Sequence, residues 1–113
     1  MNKVIFMGRL TDDPEIKTFE RNGETKKCAQ YCLAVPRDYT KDKTDFFRCV
    51  TFQPRNVAFV QKYFKKGQRV LVEGQMLTDS YTNAEGQKVN TCEVMVQRQE
   101  FADGKKDEDG NSD

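Results

Sequence analysis

The sequence predicts a small all-β domain with a single helical insert, on three observations. Apolar residues alternate at period two along several segments, turn residues punctuate the junctions, and one stretch between Pro54 and Gly67 carries helical spacing instead. Lys3 to Leu10 is the first strand, ending in the turn chemistry of Thr11-Asp12-Asp13-Pro14, and Glu15 to Phe19 continues it past the break. Arg21-Asn22-Gly23-Glu24 is a hairpin turn. Lys27 to Val35 is the second strand, with Tyr31, Leu33 and Val35 on one face and Cys28, Gln30, Cys32 and Ala34 on the other; Pro36 ends it. Residues 37–45 form a polar, basic loop holding one ring, Tyr39, and lead into the third strand, Phe46 to Phe52. Pro54 suits the first turn of a helix, Val57, Val60 and Phe64 keep its apolar face, and Gly67 stands past Lys65-Lys66 as a C-cap. Arg69 to Thr78 is the fourth strand. Asp79 to Asn90 forms a polar hairpin arm turning near Glu85-Gly86, and Thr91 to Arg98 is the last strand, with Cys92, Val94 and Val96 pointing inward.

Five strands with a helix between the third and fourth is the order of the OB-fold, a partly open barrel that binds oligonucleotides or oligosaccharides across one face. Composition agrees with one domain of this kind. The chain has 113 residues, of which 33% are charged and 12 are aromatic, which suits a small folded core under a polar surface. No apolar run approaches the ~20 residues of a membrane span. The amino terminus MNKVIFMGRL has no small-residue cleavage site, so neither a signal nor a transit peptide is expected, and the location expected is cytoplasmic.

The net charge of +1 divides unevenly. Residues 102–113, ADGKKDEDGNSD, hold five acids and two lysines, net −3, which leaves +4 on residues 1–101. An acidic tail therefore follows a basic body, and it is either a solubilising end or a regulatory one.

Catalytic and metal chemistry find little support. There is no histidine, and the carboxylates sit in turn-like polar stretches. Phosphate loop, nucleophile elbow and metal-ligand spacing are all missing from the sequence, so a non-catalytic protein without cofactor or metal is expected. On a strand, Cys28 and Cys32 stand about 13 Å apart, too far to share a metal or a disulfide. Cys28, Cys32, Cys49 and Cys92 are read as reduced, buried thiols.

The third strand says most about function. Phe46, Arg48, Val50 and Phe52 share one face, so two rings flank a cation. Rings stack on any nucleobase and a guanidinium reaches the neighbouring phosphate, which suits a single-stranded nucleic acid. Half-buried strands are rich in Phe for packing reasons alone, and this segment by itself fits that reading as well.

The motifs MNKVIFMGRLTDDPE, CLAV at Cys32–Val35, TDFFRCVTF, KKG at Lys65–Gly67, VLVEGQ at Val70–Gln75, SYTNAEGQK and TCEVMV add a resemblance. In this order, over about residues 1–101, the chain resembles the single-stranded DNA-binding proteins of bacteria, plasmids and phages. The resemblance implies an OB-fold domain at 1–101, with 102–113 as a short acidic flexible tail. It also implies sequence-tolerant binding of single-stranded DNA, protecting it in replication, recombination and repair, and a homotetramer or a dimer. It puts base stacking on Tyr39, Phe46, Phe52 and Tyr81, and phosphate contacts on Arg37, Lys41, Lys43, Arg48, Arg55, Lys66, Arg69 and Lys88.

Departures from the family pattern accompany it. Trp, frequent at three of the stacking positions, is missing here, so stacking area per base is smaller. Leu77, Asp79 and Ser80 stand where many relatives carry basic residues, and Gln53-Pro54 replaces Gly-Lys. Partner-docking relatives close on apolar residues, commonly Pro-Phe, whereas this chain closes on DEDGNSD. That argues against docking of replication and repair proteins through the tail, and points to a phage, plasmid or accessory member or a shortened form. Two rival readings remain: an OB-fold used for protein contacts, as in primosomal accessory proteins, and a binder of single-stranded RNA.

Overall fold

Alternating apolar residues and turn signals fold into six strands and one helix: β1 (Val4–Leu10), β2 (Glu15–Arg21), β3 (Glu24–Arg37), β4 (Thr40–Thr51), α1 (Pro54–Tyr63), β5 (Arg69–Thr82) and β6 (Lys88–Phe101). A computed structural model describes residues 1–103; the rest of the acidic segment lies outside the described residues.

β1 and β2 both run antiparallel to β3. Leu10 faces Leu33 and Glu15 faces Gln30, so the break spends four residues on one side against two on the other. The two pieces act as one bent strand, as the sequence suggests. Counting them so, five strands close a ring: β1 joins β5, β5 joins β6, β6 joins β4, β4 joins β3, and β3 returns to β1 through Arg9–Ala34 and Leu10–Leu33. The β4–β6 seam is parallel, with Arg48 opposite Glu93 and Val50 opposite Met95. This is the OB-fold arrangement.

Closure requires two close approaches of backbone. A Cβ at Gly8 would stand 2.5 Å from the Ala34 carbonyl oxygen, and one at Gly74 would collide with the carbonyl oxygen of Met95. Gly74 adjoins the register shift after Glu73, where β5 bends against β6. Glycine permits that approach because it has no side chain. In the β2–β3 hairpin, Asn22 and Gly23 adopt φ of 53° and 80°, the left-handed pair that a two-residue turn with Arg21 opposite Glu24 demands.

The barrel interior holds Leu10, Tyr31, Leu33, Cys49, Val70, Val72, Val94 and Val96, all buried. Helix α1 lays Val57 and Val60 against this core, and the Phe64 ring follows them in, meeting Tyr31 edge-on at 5.3 Å. Polar atoms at the junction are satisfied in a chain. Tyr31 Oη donates to Gln99 Oε1 at 2.7 Å, Gln99 Nε2 donates to the Asn56 carbonyl, and Asn56 Nδ2 donates to Thr51 Oγ1. Buried polar groups so paired fix the helix on the barrel without an unsatisfied donor's cost.

Several boundaries differ from the sequence expectation. Residues 37–45 are mostly strand: β3 runs through Pro36 to Arg37 and β4 starts at Thr40, leaving a turn at Asp38–Tyr39. The ladder shifts register between Pro36 and Arg37, and such an irregularity tolerates the missing N–H of proline. The helix ends at Tyr63 with Phe64 extended, so Gly67, at φ 91°, serves the turn into β5 rather than the helix cap. β5 and β6 continue along the arm to a turn at Asn83–Gln87. Cys92 is exposed, not inward, because β6 has left the barrel there; Cys32 is half-buried, and only Cys28 and Cys49 are buried thiols.

Candidate nucleic-acid interface

Opposed residues in a ladder share a face, so the registers define the outer surface of the sheet. One rung runs Cys32, Arg48, Glu93, Leu77; the next runs Gln30, Val50, Met95, Gln75. Two residues from Arg48 along β4 stands Phe46, 65% exposed, and further out along β5 stands Tyr81, 56% exposed and opposite Val89. Phe46, Arg48, Leu77 and Tyr81 therefore lie on one continuous face spanning β4, β6 and β5.

Phe52 follows β4, exposed at one flank, and its ring meets Phe19 of β2. The Arg48 guanidinium sits mid-face. Its Nη2 donates to Gln30 Oε1 at 3.1 Å, and its Nε lies 3.9 Å from Glu93 Oε2. Two partner oxygens, one from Gln30 and one from Glu93, thus hold a cation in place between rings, where a phosphate can reach it.

The β3–β4 hairpin forms a second station. Tyr39, 91% exposed, stands at its tip beside a shallow hollow of about 430 Å³ lined by Val35, Pro36, Arg37, Asp38 and Asp45 as well. Arg37 Nε and Nη2 each donate to one oxygen of Asp45 at 3.0 Å, a bidentate pair. Those hydrogen bonds hold the Asp45 carboxyl below the usual carboxylate range and raise the guanidinium's own value. Lys43 is exposed on β4, on the side away from Phe46; Lys41 is on β4 too, but its side chain lies outside the described residues. On the arm, Lys88 faces Thr82, one residue beyond Tyr81.

The remaining expected cations lie off the Phe46–Tyr81 face. Arg55 is exposed in the first turn of α1, just past Phe52. Lys66 is in the turn before β5, where its N–H donates to Asp13 Oδ1 at 2.9 Å. Arg69 opens β5 eight residues before Leu77, about 26 Å away along the strand. Its Nε and its backbone N–H both donate to Asp103, at 3.1 and 3.2 Å, so this first acid of the tail is folded back onto the body.

The sequence reading assigned no site role to Phe19, Gln30 or Glu93, and marked Leu77 only as a departure from the family pattern. Period-two alternation says which residues of a strand share a face, but only the register says which strands meet. Away from the rings, β1 presents Ile5 (59% exposed) and Met7 (47% exposed). β1 meets β3 only at Arg9 and Leu10, so among the described residues that edge is unpaired from Val4 to Gly8. No helix among them is long and apolar enough to cross a membrane.

Against this geometry, comparison with known proteins is decisive. Residues 1–102 match the single-strand binding protein family. The chain belongs to that family. It is 37% identical over 103 residues to the "Single-stranded DNA-binding protein" of Clostridium perfringens, covering 91% of this chain and 67% of that one. It is 36% identical over 109 residues to "Single-stranded DNA-binding protein A" of Bacillus subtilis, covering 93% of this chain and 61% of the relative's length. Among solved structures it is similar to the Plasmodium falciparum SSB in its complex with ssDNA, with a TM-score of 0.76 and 28% identity over 91% of this chain and 96% of that one. The two chains therefore share this barrel closely enough to superpose.

Proposed function

We propose that this chain binds single-stranded DNA without strong sequence preference and protects it during replication, recombination and repair. The observation that carries the reading is the continuous outer face on which exposed rings alternate with a held guanidinium: Phe46, Arg48, Leu77 and Tyr81, flanked by Phe52 and the Tyr39 hairpin. The names of the relatives and of the solved structure with bound ssDNA support it. Stacking tolerates every base, and phosphate contacts carry no sequence information.

In this reading Tyr39, Phe46, Phe52 and Tyr81 stack bases. Arg37 and Arg48 lead the phosphate contacts, with Lys41, Lys43, Lys88, Arg55, Lys66 and Arg69 further along the path. Residues 1–101 are the binding domain, non-catalytic, acting in the cytoplasm on the nucleoid. The unpaired β1 edge with Ile5 and Met7 exposed beside it supports a homo-oligomer, a tetramer first and a dimer second.

Fluorescence-anisotropy titration with oligo-dT, oligo-U and duplex DNA at two salt concentrations tests this. Tight binding of oligo-dT with little affinity for duplex is expected. Preference for oligo-U would transfer the function to RNA, and binding to none of the three would transfer it to protein contacts.

A further inference from the structure

The two arginines beside exposed rings share a feature that alternation alone does not reveal: each already carries its own carboxylate. Arg37, next to Tyr39, is bonded twice to Asp45, and Arg48, next to Phe46, lies against Glu93. Both partners in each pair stay substantially solvent-exposed, at 50% and 40% for Arg37–Asp45 and 59% and 39% for Arg48–Glu93. The pairs are therefore open to exchange with an incoming anion. Neither acid is forced on its position by the core, since Asp45 lies at the hairpin beyond the barrel and Glu93 on the outer rung.

We propose that Glu93 on the ring-bearing face and Asp45 at the Tyr39 hairpin are positioning residues of the DNA-binding surface, counter-charges that hold Arg48 and Arg37 in place and hand them over to phosphate. This rests on the binding reading above and adds to it the residues that set its salt dependence. A cation that brings its own anion neutralises no net phosphate charge when it swaps partners, so it releases few of the counter-ions condensed on DNA. The rings then carry binding, and the protein holds its strand over a wide salt range. At Arg37 the handover has a geometric basis as well: a guanidinium already fixed in a fork by Asp45 loses less side-chain freedom on meeting a phosphate than a free one.

The test is the slope of log affinity for oligo-dT against log salt. Asp45→Asn and Glu93→Gln are each expected to tighten binding at low salt and steepen the slope by about 0.7, and together by about 1.4. Glu24→Gln removes an acid that pairs with Lys26 in the β2–β3 hairpin and is expected to leave the slope unchanged. Arg37→Ala and Arg48→Ala serve as references, with folding of every variant checked by circular dichroism. If the arginine variants lose affinity while Asp45→Asn and Glu93→Gln leave the slope as it was, or weaken binding, the counter-charge role is overturned and the binding face stands. An equal steepening in Glu24→Gln would overturn it too, since net charge would then explain the effect. Failure of the wild-type chain to bind oligo-dT would instead remove the binding reading itself.

Discussion

The Phe52 ring meets Phe19 nearly at right angles, 81°, with centroids 5.7 Å apart. Phe52 thus packs within its own chain, whereas Phe46, Tyr39 and Tyr81 stand free enough to be removed without opening the core. Each of Phe46→Ala, Tyr39→Ala and Tyr81→Ala is expected to weaken oligo-dT binding by ~1–3 kcal/mol with an unchanged melting temperature. Phe52→Ala is expected to lower both. Normal binding by a folded Tyr39→Ala/Tyr81→Ala double variant would contradict the stacking assignment.

The thiols offer a topographical check. With a thiol reagent at pH 8, Cys92 is expected to react first, Cys32 more slowly, and Cys28 and Cys49 only on unfolding. Cys92 faces Thr78, on the opposite side of the arm from Leu77 and Tyr81. Small alkylating groups at Cys92 should therefore leave oligo-dT binding intact, and a large loss would mean that DNA runs along the underside of the arm.

Stability should fall in alkali for a reason located in the core. Burial, with smaller help from the nearby Cys32 and Glu93, pushes the Cys49 thiol up to about 12, while an unfolded cysteine ionises near about 8.5. Between those values the unfolded chain releases a proton that the folded chain keeps. This contribution to stability is complete below the unfolded value and declines as pH rises towards the folded one, by up to about 1.4 kcal/mol per pH unit. Burial raises Tyr31 in the same sense, at higher pH. Urea titrations from pH 8 to 10 should show the decline, and Cys49→Val should flatten it.

Gly74→Ala is expected to cost at least ~1–3 kcal/mol, because the new methyl must displace the Met95 backbone at the bend of β5 against β6. Urea unfolding of that variant gives the number. A loss below about 0.5 kcal/mol, the range of ordinary surface substitutions, would mean that the bend relaxes freely.

Removal of residues 104–113 leaves Asp103 on Arg69 while deleting four acids and two lysines. Oligo-dT affinity should rise at low salt and converge with that of the full chain as screening shortens. Equal affinities at every salt concentration would rule out competition between the tail and DNA.

Much of this molecule was legible in the sequence, and the limits have physical causes. Period-two alternation, Asn22-Gly23 and Pro54 mark strands, hairpin and helix start because each reflects a local backbone requirement. The polar stretch 37–45 looks like a loop because nothing in it is buried by the core, yet main-chain ladders between Pro36 and Thr44 need no apolar residues. Cys92 obeys the inward parity of Val94 and Val96 but lies beyond the point where the barrel provides an interior. On the candidate face, Phe46 and Arg48 share a side by the alternation of β4 alone, whereas Tyr81 belongs to β5. Glu93 and Leu77 join them only through ladders that link segments more than 15 residues apart.

The parallel seam between β4 and β6 also dictates when the barrel can close. Arg48 must wait for Glu93, 45 residues later, whereas β2 with β3 and β5 with β6 are hairpins whose partners emerge within a short stretch of chain. During synthesis β4 has β3 on one side and an open edge on the other until nearly the whole domain has left the ribosome. Long-range pairing of this kind is slow and leaves strands exposed in the meantime. The seam that brings Arg48 and Glu93 together thus cannot form before this part of β6 has emerged, and the face they share does not exist in a nascent chain that stops short of Glu93.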